Sequence, residues 1–211
     1  MPDYPKQRQT STARRALCLA AFALLCCALL QGCGGSAAPP KAELESEDQD
    51  YVLWAYGEKA LQLFLKSSND LNAFDGRAHT LQLCVYQFDK RDAFDSLKGT
   101  PQGINSLLQC SPFDKSVKSA TRIFMQPGET AIYTLDRAEG ALFAGVVCGY
   151  FESAPEQSAK LWQIPFSQRQ TGFLFWKSTL YSAGRLALDL HLGAHAMAEN
   201  VEQERKQGAE K

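Results

Sequence analysis

The chain has 211 residues, 45% of them hydrophobic, with 22 Lys and Arg against 23 Asp and Glu and three His. Residues 1–32 hold four of the basic residues, Lys6, Arg8, Arg14 and Arg15, and one acidic residue, Asp3, so the rest carries 18 against 22, a net charge of −4. That sign argues against nucleic acid as a partner, because phosphate recognition wants a basic patch or stripe. The roughly 160 residues beyond position 50 suffice for one domain with a real core and are too few for two comfortable ones.

The basic amino terminus leads into a run from Ala16 to Leu30 without a charged or strongly polar residue. This is the shape of a secretory signal peptide, and the run falls short of the about 20 apolar residues of a spanning helix. Leu30, Gln31, Gly32 and Cys33 resemble the lipobox of bacterial lipoproteins. That resemblance implies cleavage before Cys33 and lipid on Cys33, and Gly34 in place of Asp implies sorting to the outer membrane. Several acyl chains at about 0.8 kcal/mol per buried methylene make such an anchor permanent. No cofactor is expected beyond this covalent lipid. The chain therefore divides into a signal peptide at 1–32, a lipidated cysteine and acidic tether at 33–50, a folded domain at 51–196 and a charged tail at 197–211. The tether is Gly, Ser, Ala and Pro followed by Glu43, Glu45, Glu47, Asp48 and Asp50. As a solvated coil its seventeen residues after the cysteine would span about 20–25 Å.

Within the domain, Lys59–Ser67 alternates Leu61, Leu63 and Leu65 against Gln62 and Lys66, the period of a half-buried strand. Thr80–Phe88 is β-branched, apolar or aromatic with polar interruptions and predicts a second strand. About eleven residues separate them, where an ordinary hairpin needs about two to five, so this loop is either idle or a contact surface on a rigid scaffold. Short helices fit Arg91–Leu97 and Gly103–Cys110, where apolar spacings are three and four. Strands follow at Val117–Met125 and Thr130–Leu135, expected to pair as a hairpin across a type II turn at Pro127 and Gly128. Leu142–Phe151 predicts a strand buried on both faces. Leu161–Phe166 and Arg185–Leu192 predict two more, with an aromatic-rich stretch between them, 167–184, expected as an extra hairpin closing the core. The alternative for that stretch is an exposed aromatic contact patch. Together these elements predict an all-β fold, an antiparallel β-sandwich with short helical insertions.

Little chemistry is available. His191 and His195 have helical ligand spacing but fall on a strand and its end, no nucleophile motif accompanies any histidine, and no glycine-rich phosphate loop or CxxC pair occurs. Asp70 and Asp75 are ordinary turn aspartates. Nothing supports an enzyme, and no metal site is expected. With Cys18, Cys26 and Cys27 in the signal and Cys33 lipidated, Cys84, Cys110 and Cys148 remain. One disulfide and one buried thiol are expected in an oxidising compartment, with all three pairings open.

Three segments are similar to one family. Asn72, Asp75, Gly76 and Arg77 precede the strand ending Val85, Tyr86, Gln87, Phe88; Phe94 follows; then come Pro127, Gly128 and Glu129, and Ala144 to Val147 with Tyr150. These resemble the TssJ family of type VI secretion outer-membrane lipoproteins, from about Ala60 to Trp162. The chain departs from the family in a tighter Asn72–Gly76 spacing, in Phe151 and Glu152 where a basic residue is common, in Gln163 where arginine is frequent, and in a later last strand. The resemblance implies a transthyretin-like sandwich facing the periplasm, whose first long loop docks the periplasmic domain of the inner-membrane component TssM. It puts that interface on Asn72, Phe74, Asp75, Gly76 and Arg77, with Phe74 as apolar anchor and Arg77 as charged contact or brace. The competing reading is a periplasmic lipoprotein that binds a small ligand, in a pocket under Phe173–Tyr181, or another envelope protein.

Overall fold

The computed structural model describes residues 44–173 and 175–199. The signal segment, Cys33 and the tail from residue 200 onward lie outside the described residues. Strand β1, Gly57–Ser67, puts Leu61, Leu63 and Leu65 inward, and β2, Leu81–Phe88, is buried on both faces. Helices α1, Asp92–Lys98, and α2, Pro101–Leu107, follow. Thr100 caps α2 by accepting from the Gly103 amide at 3.1 Å, with Pro101 in the first turn where its missing N–H costs nothing. Strands β3, Val117–Met125, β4, Thr130–Arg137, and β5, Phe143–Cys148, lead to the short helix α3, Pro155–Ser158. The chain ends in β6, Ala159–Gln163, β7, Phe166–Phe173, β8, Trp176–Ala183, β9, Leu186–Leu192, and β10, Met197–Glu199.

One sheet has the order β10-β9-β1-β4 and the other β3-β2-β5-β6, while β7 and β8 form a separate two-stranded ribbon. Between the two four-stranded sheets lies the main core, built from Leu63 and Leu65 of β1, Leu83 and Val85 of β2, Val146 of β5 and Leu188 and Leu190 of β9. The opposite face of β2 is covered by Phe94, Ile104 and Leu107 of the two helices, packed on Tyr86 and Phe88. A Cys84–Cys110 disulfide ties β2 to the end of α2, and among the described residues Cys148 is the free thiol, buried. The Tyr86 hydroxyl donates to the Leu107 carbonyl at 2.5 Å and satisfies the helix end.

Two pairings differ from expectation. The Pro127–Gly128 turn forms, with Gly128 at φ +72° and the Glu129 amide donating to the Gln126 carbonyl at 3.2 Å, yet β3 and β4 are not hairpin partners. β3 pairs with β2 and β4 with β1, so the turn carries the chain from one sheet to the other. Alternation in a strand tells which residues face the core and leaves its neighbour unspecified. Here the turn wraps the end of β1: the Ser67 hydroxyl donates to the Gln126 carbonyl at 2.6 Å and the Gly128 amide to the Ser68 carbonyl at 3.0 Å. The β1–β2 connection makes the same sheet-to-sheet crossing, which explains why it exceeds hairpin length. Second, β9 lies parallel to β1, Leu61 to Leu186 through Ser67 to Leu192, while the other ladders are antiparallel.

Two boundaries also move. The end of the expected tether is held against the ribbon: Ser46 makes an antiparallel bridge to Tyr181, and the carboxylate of Glu45, 8% exposed, pairs with Arg169. At the other end Met197, drawn as the start of a tail, packs into the core, and Glu199 accepts from the Trp162 indole at 3.1 Å.

β1 thereby separates two ends of the sandwich, its eleven residues spanning roughly 33 Å. At the Gly57 end a buried guanidinium, Arg137, donates to the Gly184 carbonyl at 2.6 Å and the Ala55 carbonyl at 3.0 Å, fastening the ribbon base and the incoming chain to β4. Its charge lies 5.5 Å from the Trp54 ring centre. At the Ser67 end lies the long loop.

Candidate functional site

The loop, residues 68–80, is anchored at its flanks and free at its tip. Leu71 is fully buried in the main core. The amides of Ser68, Asn72 and Ala73 donate to the carbonyls of Leu192, Gly193 and Ala194 at 2.9–3.3 Å, so the loop borrows a ladder from the β9–β10 turn. Asn72 is 2% exposed and adopts φ +48°, a region its short amide tolerates. Its Nδ2 donates to the Thr80 carbonyl at 3.0 Å and its Oδ1 accepts from the Phe151 amide at 2.8 Å. Expected as a contact residue, Asn72 is instead the buried clamp that closes the loop and joins it to the chain after β5.

Beyond the clamp the chain folds back on itself. Phe74 and Arg77 exchange both backbone hydrogen bonds, at 2.9 and 3.0 Å, around Asp75 and Gly76, which have φ +49° and +71°. Two positive φ values in a two-residue turn define a type I′ turn, and Asp-Gly is a preferred pair for it. Phe74, Asp75, Gly76 and Arg77 are all exposed. Neither Asp75 nor Arg77 makes an ion pair with another described residue, so both charges face outward.

Phe74, 45% exposed, stacks on Phe151 with ring centres 5.1 Å apart, and His79 meets the Phe151 edge at 5.1 Å. Beside Phe151 a shallow cleft of about 170 Å³ opens between Tyr150, Ile104 and Pro155. Phe151 belongs to the site though the sequence reading named it only as a departure; an aromatic just past a fully buried strand was the available signal. The tip is thus an aromatic knob with one anion and one cation on its rim, held by backbone bonds and suited to a protein surface. By contrast, a cavity at the base of the ribbon, bounded by Leu44, Leu53, Arg137 and Ser182, holds about 150 Å³, half the lower bound of about 300 Å³ for a typical small-molecule site.

Fold and site together define a β-sandwich protein that presents a backbone-braced loop from one end. Residues 59–195 match the family described as type VI secretion lipoprotein, VasD, EvfM, TssJ, and the chain belongs to that family. Among solved structures it is similar to the type VI lipoprotein TssJ1 from Pseudomonas aeruginosa, at 18% identity and TM-score 0.49, over 69% of this chain and 95% of that one. It is also similar to Serratia marcescens Lip, a membrane-bound component of the type VI secretion system, at 14% identity and TM-score 0.48, over 66% and 96%. No curated protein matches.

Proposed function

We propose that this lipoprotein is held in the outer membrane by lipid on Cys33, faces the periplasm, and docks the periplasmic domain of TssM through the tip of loop 68–80. The observation that carries this reading is the separation of roles within the loop. Asn72 and Leu71 spend themselves on holding it, while Phe74, Asp75, Gly76 and Arg77 are displayed on a tight turn. A preorganised knob loses little conformational freedom on binding, which is what a stable envelope contact needs. Phe74 serves as the anchor with Phe151 behind it, and Arg77 and Asp75 set the orientation of approach.

The test is co-purification of the mature protein with the TssM periplasmic region. Phe74→Ala combined with Arg77→Ala should weaken binding at least about tenfold, the scale of losing hot-spot side chains. Unchanged affinity in that variant would overturn the loop assignment. Separately, Cys33→Ser should release the protein from membranes.

A further inference from the structure

Of the ten exposed large hydrophobic side chains among the described residues, two, Phe74 and Phe151, belong to the loop tip. Six others, Tyr51, Leu53, Tyr56, Phe173, Phe175 and Trp176, lie on the β7–β8 ribbon or on the segment that leads the tether into the domain. The ribbon tip is the most exposed part, with Phe173 at 78%, Phe175 at 94% and Trp176 at 86%. Its geometry depends on Gly172, which has φ +102° and where a Cβ would collide with the Trp176 carbonyl. The base is packed through Phe166 against Trp54 at 5.2 Å and through the Arg137 clamp, and the middle is held by the Ser46–Tyr181 bridge and the Glu45–Arg169 pair. The hairpin expected to close the core is therefore a separate ribbon, attached below an exposed tip.

We infer that the tip of the β7–β8 ribbon inserts its aromatic side chains into the interface of the bilayer that holds the lipid anchor. The inference rests on the proposed anchor at Cys33. Eleven residues link Cys33 to Leu44, a reach of at most about 40 Å, and Leu44 already lies beside Ser182 and Ala183 at the ribbon base. The ribbon is thus the element tethered next to the membrane, and its eight-residue arms extend about 25 Å. The docking loop occupies the far end of β1. Charge permits it: from Phe166 to Ala183 there is no acidic residue, and of the two cations Arg169 is paired with Glu45 while Lys177 stands beside Trp176 at the tip. Trp and Phe with a flanking lysine suit the boundary between headgroups and acyl chains, where a ring has one apolar and one wet surface. A second attachment point would orient the domain with its loop pointing away from the membrane.

The experiment uses the full lipidated protein in vesicles of phosphatidylethanolamine and phosphatidylglycerol, with and without bromine on the acyl chains. Flotation reads the anchor. Bromine quenching that is present in the wild type and lost in Trp176→Phe reads the tip, since Trp54 and Trp162 remain in both. The expected result is quenched, blue-shifted Trp176 emission, and loss of that quenching when Phe173 and Phe175 are both changed to Ser. Protein that floats while Trp176 stays unquenched overturns the ribbon proposal and leaves the anchor standing. Trp176 shielded from aqueous iodide yet untouched by brominated lipid means that a protein surface, such as a second copy, covers it, and also overturns the proposal. Failure to float removes the anchor and the geometric argument with it.

Discussion

Replacing Asn72 separates the clamp from the contact surface. Asn72→Ala removes two hydrogen bonds, Nδ2 to Thr80 and Phe151 to Oδ1, and leaves those backbone groups short of a partner in a partly buried site. Stranding each costs about 1 kcal/mol at the lower end of the usual range. Alanine at φ +48° adds about 1 kcal/mol, because it lacks the short polar side chain whose local hydrogen bonding lets asparagine tolerate the left-handed region. The sum is about 3 kcal/mol. Asn72→Gly loses the same bonds without the left-handed penalty and should cost about 2 kcal/mol. In urea unfolding, 3 kcal/mol at a slope of about 2 kcal/mol per molar moves the midpoint down by about 1.5 M. Phe74→Ala, at a side chain nearly half exposed, should leave the midpoint nearly unchanged while weakening TssM binding. An Asn72→Ala loss below about 1 kcal/mol, or a glycine variant no milder than the alanine one, would refute the clamp reasoning.

The Cys84–Cys110 bond spans 26 residues, so Cys84→Ala with Cys110→Ala should cost about 3.5 kcal/mol by loop entropy, read as a lower Tm that reductant no longer affects. Cys148, buried and with its thiol pushed up by desolvation, should resist alkylation in the native protein and react once it is unfolded; rapid native labelling would contradict its placement. Stability should also fall in acid. Asp136 is held below the usual carboxylate range by the Lys59 amide and then by the Tyr56 hydroxyl, and Asp95 by Arg91 and Lys98. Depressed values mean that their contribution is complete above the ordinary carboxylate range and disappears as pH falls below about 4. Asp136→Asn should flatten that acid loss in a Tm-versus-pH series, and an unchanged slope would show that the carboxylate does not participate.

Much of this was legible in local pattern. Leu61, Leu63 and Leu65 alternate because β1 has one face on the core and one in solvent, and β5 reads as continuous apolar sequence because both its faces are covered. The Pro127–Gly128 turn and the helices at Asp92–Lys98 and Pro101–Leu107 announced themselves by residue type and spacing. Strand partners did not. Nothing in Val117–Met125 says that it pairs with β2 and not with β4, because pairing depends on where the chain has already been laid down. Asn72 was expected as a contact residue and its buried place was invisible, since the groups that bury it come from Thr80 and Phe151, the latter 79 residues away.

Sequence alone determined the sandwich class and most of its elements, and marked out the long loop, each through a period, a turn pair or a motif confined to a few neighbours. Tertiary structure decided which residues of that loop hold and which are shown, which two of three cysteines join, and that the aromatic ribbon shares an end of the domain with the tether while the loop takes the other. Those outcomes are long-range. They are settled by which surfaces meet when two sheets close on one core, a property of the whole chain that no local window contains.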